Sequence, residues 1–206
     1  MKILGIVGSK RKKGNTSVLV NRALEKAKEA GAETELIFLG DYAITGCSGC
    51  GGCQKTRRCV INDDMQKIYP LLLKADGVIL GSPTYYYNVS SDVKAFLDRC
   101  YCFEVFAEDD RSIWLSLNEA LGIKYAGVIA VCEQHSEEDM GPTAEVMAKS
   151  LEALGYRVVD KVKALGLFAQ GAALKDEKSL EKADRAGERL VKILKLRNKV
   201  REKWEA

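Results

Sequence analysis

The chain has 206 residues, 47% of them apolar and 30% charged, with a formal net charge of +3; that is enough apolar material for one sizeable core and a single domain, 1–206. So small a charge gives no reason to expect nucleic acid or an anionic membrane as partner, and no apolar run approaches the length of a membrane span. The apolar stretch at 3–7 is too short for an export signal, and seven cysteines without one predict a reducing, cytoplasmic setting.

In chain order, residues 3–7 form a short continuous apolar run, the pattern of a strand buried on both faces. Helical periodicity follows at 17–30 and stops at Gly31, and a second strand is predicted at 34–39. Asp63 or Asp64 caps a helix through Leu73, because a carboxylate accepts from the free amides of a first turn. A third strand begins at 78–80 and ends in Gly81-Ser82-Pro83; a helix then runs from Ser90 to about Phe103. An irregular stretch precedes Gly122, with 104–118 as an insertion that reads as a lid or an interface element. A fourth strand at 125–132, a helix at 143–154, a fifth strand at 156–165 and a charged amphipathic helix at about 175–203 complete the chain, with Trp204 just beyond. Strands alternating with helices predict a three-layer, doubly wound α/β fold with a five-stranded parallel sheet. The crossover rule leaves few topologies, the flavodoxin-like order 2-1-3-4-5 among them. Such sheets bind ligands beyond the carboxyl ends of their strands.

The unusual segments fall at those ends. After strand one, Gly8-Ser9-Lys10-Arg11-Lys12-Lys13-Gly14-Asn15-Thr16-Ser17 leads into a helix. Hydroxyls of Ser9, Thr16 and Ser17, the charge of Arg11 and the helix amides suit a phosphate, although turning and capping alone also use such residues. Neither G-x4-G-K-[ST] nor G-x-G-x-x-G is present. After strand three, Tyr85-Tyr86-Tyr87 is hard to bury, since each hydroxyl needs a partner; a flat aromatic ligand or an oligomer interface accounts for it. After strand two, Cys47, Cys50, Cys53 and Cys59 are spaced x2, x2, x5. A C-x2-C-x2-C run wraps three corners of a [4Fe–4S] cube in bacterial-type ferredoxins, and a fourth thiolate follows. Zinc, disulfides and free thiols remain the alternatives. The flanking Arg57 and Arg58 either stabilise a reduced cluster or form a solvated charge pair.

G-S-x-R-x-x-G-N-T (Gly8 to Thr16), S-P-T-Y-Y-Y-N-V-S (Ser82 to Ser90) and K-A-F-L-D-R (Lys94 to Arg99) resemble the NADPH-dependent FMN reductase superfamily. With the four cysteines and N-D-D-M (Asn62 to Met65), the chain resembles its iron–sulfur flavoproteins, from Met1 to about Gly155. The resemblance implies that Ser9, Arg11, Gly14, Asn15, Thr16 and Ser17 hold the FMN phosphate and that Pro83, Thr84, Tyr85, Tyr86 and Asn88 border the isoalloxazine. It implies Cys47, Cys50, Cys53 and Cys59 as ligands of a [4Fe–4S] cluster, and the loop 133–136 against the flavin's other side, without the glycine-rich form usual there. The implied activity is electron transfer between a low-potential donor such as ferredoxin and an acceptor such as a quinone, oxygen or peroxide, in a homodimer or homotetramer. Two other readings stand beside it: an NAD(P)H-dependent FMN or quinone reductase without a cluster, and a non-enzymatic electron carrier or zinc-stapled binding module. His135, the single histidine, reads as a loop residue; Cys100, Cys102 and Cys132 read as packing residues.

Overall fold

The computed structural model describes residues 1–205. Its elements are β1 (Lys2–Val7), α1 (Asn15–Glu29), β2 (Glu33–Phe38), α2 (Gly52–Thr56), α3 (Met65–Lys74), β3 (Gly77–Pro83), α4 (Ser91–Arg99), β4 (Glu104–Phe106), β5 (Trp114–Ser116), α5 (Leu117–Leu121), β6 (Lys124–Val131), α6 (Glu137–Met140), α7 (Thr143–Ala153), β7 (Tyr156–Ala164) and α8 (Glu177–Glu205). The main sheet is parallel throughout, in the order β2-β1-β3-β6-β7. This is the expected flavodoxin-like order, with β6 and β7 as its fourth and fifth strands.

The central strands are nearly pure apolar runs because helices cover both faces. On one face, Leu19, Val20 and Ala23 of α1 and Leu190, Val191 and Leu194 of α8 close over Ile3, Ile79 and Ile129. On the other, α3, α4 and α7 bring Ile68, Phe96 and Met147 onto Leu4, Leu80 and Val128. The edge strands carry Glu33 and Glu35 on β2 and Arg157, Lys161 and Lys163 on β7, charges that discourage further pairing. Gly187 lets α8 lie against α1: a Cβ there would stand 2.1 Å from the Ala23 carbonyl oxygen.

Several boundaries differ from the sequence reading. The helix from Ser90 ends at Arg99 and tightens into a 3₁₀ turn over Cys100–Phe103. Leu39 opens a 3₁₀ turn instead of closing β2, and Trp204 lies inside α8, exposed. The insertion is ordered: β4 and β5 pair as an antiparallel hairpin, followed by α5 with a Ser116–Glu119 capping box. Asp63 supplies the predicted first-turn acceptor, taking the Met65 N–H at 3.0 Å. No helix among the described residues is long and apolar enough to cross a membrane.

Candidate functional site

The carboxyl ends of β1, β3 and β6 open into a cavity of about 520 Å³, within the ~300–1,000 Å³ of small-molecule sites. One wall is the loop and first turn of α1, with Ser9, Arg11, Gly14, Asn15 and Thr16; the other is Pro83, Thr84, Tyr85 and Tyr86. Nine of the eleven residues expected to hold a flavin therefore line one space. Ser17 and Asn88 do not. The Ser17 hydroxyl donates to the Lys12 carbonyl at 2.7 Å and shapes the loop from behind. The Asn88 side-chain oxygen accepts the Val89 N–H at 2.8 Å.

The wall at the start of α1 follows from local structure. Gly14 is the N-cap of α1 and no side chain caps the helix there, so the first-turn amides keep their donor capacity for a ligand. A Cβ at Gly14 would meet the Arg11 carbonyl oxygen at 2.9 Å, so only glycine keeps the loop this tight. Asn15 does different work with its side chain. Its amide donates to the carbonyls of Leu167 and Ala169 at 2.9 and 3.0 Å and accepts from the Ala173 N–H at 3.1 Å. That staple holds the 167–170 loop at the cavity, where Leu167, Phe168 and Gln170 complete the wall. Sequence reading missed this loop; the signal available was the pair of glycines that flank it, Gly166 and Gly171, both at positive φ.

At the other end, Tyr86 and Tyr87 occupy a two-residue turn closed by paired backbone hydrogen bonds between Tyr85 and Asn88, at φ of 46° and 63°. Glycine, asparagine and aspartate dominate that geometry, so two tyrosines there are strained. Tyr86 is 98% exposed and Tyr87 60%, so no burial compensates. The Thr84 hydroxyl is buried in the cavity wall with no partner among the described residues. A second cavity of about 450 Å³ adjoins across Thr84, Tyr86 and Glu133, with Gln134 beyond; of the loop 133–136 only Glu133 lines the cavity at the strand ends. His135 instead packs on the Gly166 backbone, and Ser136 caps α6. An uncapped helix terminus, exposed aromatic faces and an unpaired hydroxyl fit a phosphorylated, flat aromatic ligand such as FMN.

The four clustered cysteines line a separate cavity of about 670 Å³ behind the hairpin, with Tyr101, Glu104 and Arg111 opposite them. It shares no lining residue with the cavity at the strand ends. All seven cysteines are free. The loop turns back on itself through Gly49 and Gly51 at positive φ, and this aims main-chain donors at sulfur. The Gly49 N–H approaches Cys47 Sγ at 3.5 Å; the Gly52 N–H and then the Ser48 side chain hold the Cys50 thiol below its ordinary pKa. Burial pushes Cys53 up. Donors aimed at thiolates fit an iron–sulfur cluster, whose sulfurs gather hydrogen bonds. Among the described residues no three His, Cys, Asp or Glu side chains converge into a preformed metal site, for zinc or for a cluster. The other thiols are structural: burial raises Cys102 to about 11 and Cys100 well above its ordinary value, and Cys132 is buried. Arg57 and Arg58 are both exposed, Arg57 in the left-handed conformation that ends α2.

Over 99 residues the chain is 46% identical to an iron–sulfur flavoprotein of Methanocaldococcus jannaschii, covering 48% of this chain and 51% of that protein. It is 43% identical over 99 residues to one of Methanosarcina thermophila, covering 48% and 52%. The chain thus spans about half the length of these curated relatives. Among solved structures, the NAD(P)H:quinone oxidoreductase of Methanothermobacter marburgensis superposes with a TM-score of 0.72 at 18% identity, over 92% of this chain and 98% of that one; at that identity the likeness is one of fold. The model of the family described as NADPH-dependent FMN reductase matches residues 1–161, from β1 through β6 and into β7. The chain belongs to the NADPH-dependent FMN reductase family.

Proposed function

We propose that the protein is an FMN-dependent oxidoreductase that also carries a [4Fe–4S] cluster on Cys47, Cys50, Cys53 and Cys59. It passes electrons between a low-potential donor such as ferredoxin and an acceptor such as a quinone, oxygen or peroxide in the cytoplasm. The observation that carries the flavin is the uncapped N-terminus of α1 sharing one cavity with the unpaired Thr84 hydroxyl and the tyrosine turn. Arg11 and the amides of the first turn of α1 bind the phosphate, and the Asn15 staple holds Phe168 and Gln170 in place around it. Thr84 Oγ1 donates to a polar edge of the ring, while Tyr85 and Tyr86 cover its face and exclude water. Bound FMN exchanges electrons singly or as hydride, and a cluster exchanges them one at a time, so together they join two-electron to one-electron partners.

The cluster reading is supported by the donor set and by the names of the relatives. The assembly proposed is a homodimer or homotetramer, in which a neighbouring copy offers an electron path between two cavities that share no lining residue. The second reading, an NAD(P)H-dependent flavin or quinone reductase with free thiols, draws on the M. marburgensis likeness. Protein purified and reconstituted without oxygen separates the two readings. About four irons and four sulfides per FMN, lost in Cys59→Ser while the flavin stays bound, supports the first; FMN without iron leaves the second.

A further inference from the structure

Arg99 ends α4, and its side chain is wholly removed from solvent. A buried guanidinium is costly unless its N–H groups find acceptors and its charge a partner. Nη1 donates to the Thr45 carbonyl at 2.7 Å and to Asp63 Oδ2 at 2.6 Å; Nη2 donates to Asp63 Oδ1 at 3.0 Å and to the Ile61 carbonyl at 3.3 Å. Thr45 lies just before Cys47 and Ile61 just after Cys59, so one side chain ties together both ends of the segment that bears the four thiols. Asp63 repeats the closure by accepting the Thr45 N–H at 2.8 Å. The Nε–H is buried without a partner, and the Cys59 thiol, after Asp63, favours the charged guanidinium. Nothing in the cavity at the strand ends involves Arg99.

We propose that Arg99 is a positioning residue for the iron–sulfur site: it clamps the mouth of the 45–63 loop and fixes a positive charge behind Cys59, favouring the reduced cluster. This rests on the cluster reading above. The step concerned is the transfer of one electron from the donor to the cluster; no bond forms or breaks, and no proton is required. Reduction adds negative charge, which a buried cation stabilises more than a solvated one does. Asp63, bonded to both Nη1 and Nη2, offsets part of that field. Arg57 and Arg58, beside Cys59 in sequence, stand in solvent and are screened.

The test is an anaerobic redox titration of the reconstituted full-length protein, with cluster and FMN potentials read separately. Asp63→Asn should favour reduction of the cluster and Arg99→Gln should disfavour it, each by about tenfold, or about 59 mV for one electron. Arg99→Lys should stay near wild type, Arg57→Gln should shift little, and the FMN potential should not move. A purely structural clamp would not drive the two variants in opposite directions, so shifts of the same sign, or none, overturn the proposal. If Arg99→Gln takes up no iron, Asp63→Asn decides alone: a raised potential supports the charge and an unchanged one removes it. If wild type itself takes up no iron, the cluster reading fails on its own account. The clamp is then judged by hydrogen exchange, where Arg99→Lys should accelerate the Thr45 amide at least about tenfold, and an unchanged rate overturns it.

Discussion

Asn15→Ala tests whether the amide of Asn15 is a staple or a ligand group. The substitution removes three hydrogen bonds that join the start of α1 to a loop more than 150 residues away. Ala169 is exposed, so water replaces its lost donor; the Leu167 carbonyl and the Ala173 N–H are buried and are left unpaired. Two unsatisfied buried groups at roughly 1–2 kcal/mol each come to about 3 kcal/mol. For a domain of this size that is a fall of about 6–12 °C in Tm. The assay is thermal unfolding of the flavin-free protein, followed by FMN titration monitored by flavin fluorescence. Both readouts should suffer, because Phe168 and Gln170 lose their anchor. A flavin-free Tm within about 2 °C of wild type, with FMN affinity lost, would refute the staple and make the amide a direct phosphate ligand.

Burial, with Glu119 second, raises Glu104 to about 7. The folded state therefore keeps a proton that the unfolded chain releases near pH 4.3, and stability falls as the pH rises from there through about 7. Glu104→Gln should match wild type at pH 5 and exceed it at pH 8 by about 1–3 kcal/mol in urea unfolding; equal midpoints at pH 8 would contradict the burial argument. Tyr86→Gly relieves a positive φ and should stabilise the flavin-free protein by about 1 kcal/mol while weakening FMN binding; a lower Tm would contradict the strain. Gly187→Ala forces a Cβ onto the Ala23 carbonyl. Despite a helix-propensity gain of about 1 kcal/mol, it should lose about 1–3 kcal/mol net in urea unfolding, and a stabilised variant would disprove the close contact.

The layered fold was legible because burial on both faces leaves a local mark: unbroken apolar runs at β1, β3 and β6, and helical periodicity between them. The cavity walls at 9–16 and 83–86 were legible for a related reason, since in a parallel sheet the segments that follow the strands meet at one end. The four thiols and their spacing were also local. Long-range partnership left no such mark. Asn15 reads as one more polar residue in a phosphate loop until the fold brings Leu167, Ala169 and Ala173 to its amide. Arg99 reads as one more residue inside a helix predicted from Ser90 to about Phe103 until Thr45, Ile61 and Asp63 surround it. Sequence alone left Arg57 and Arg58, beside Cys59, as either stabilising a reduced cluster or a solvated charge pair; both stand exposed. The sequence by itself determined which layers form and which loops share an end, because periodicity is written residue by residue. Only the tertiary structure decided which polar side chains hold those loops, because a buried hydrogen bond depends on where two distant segments meet.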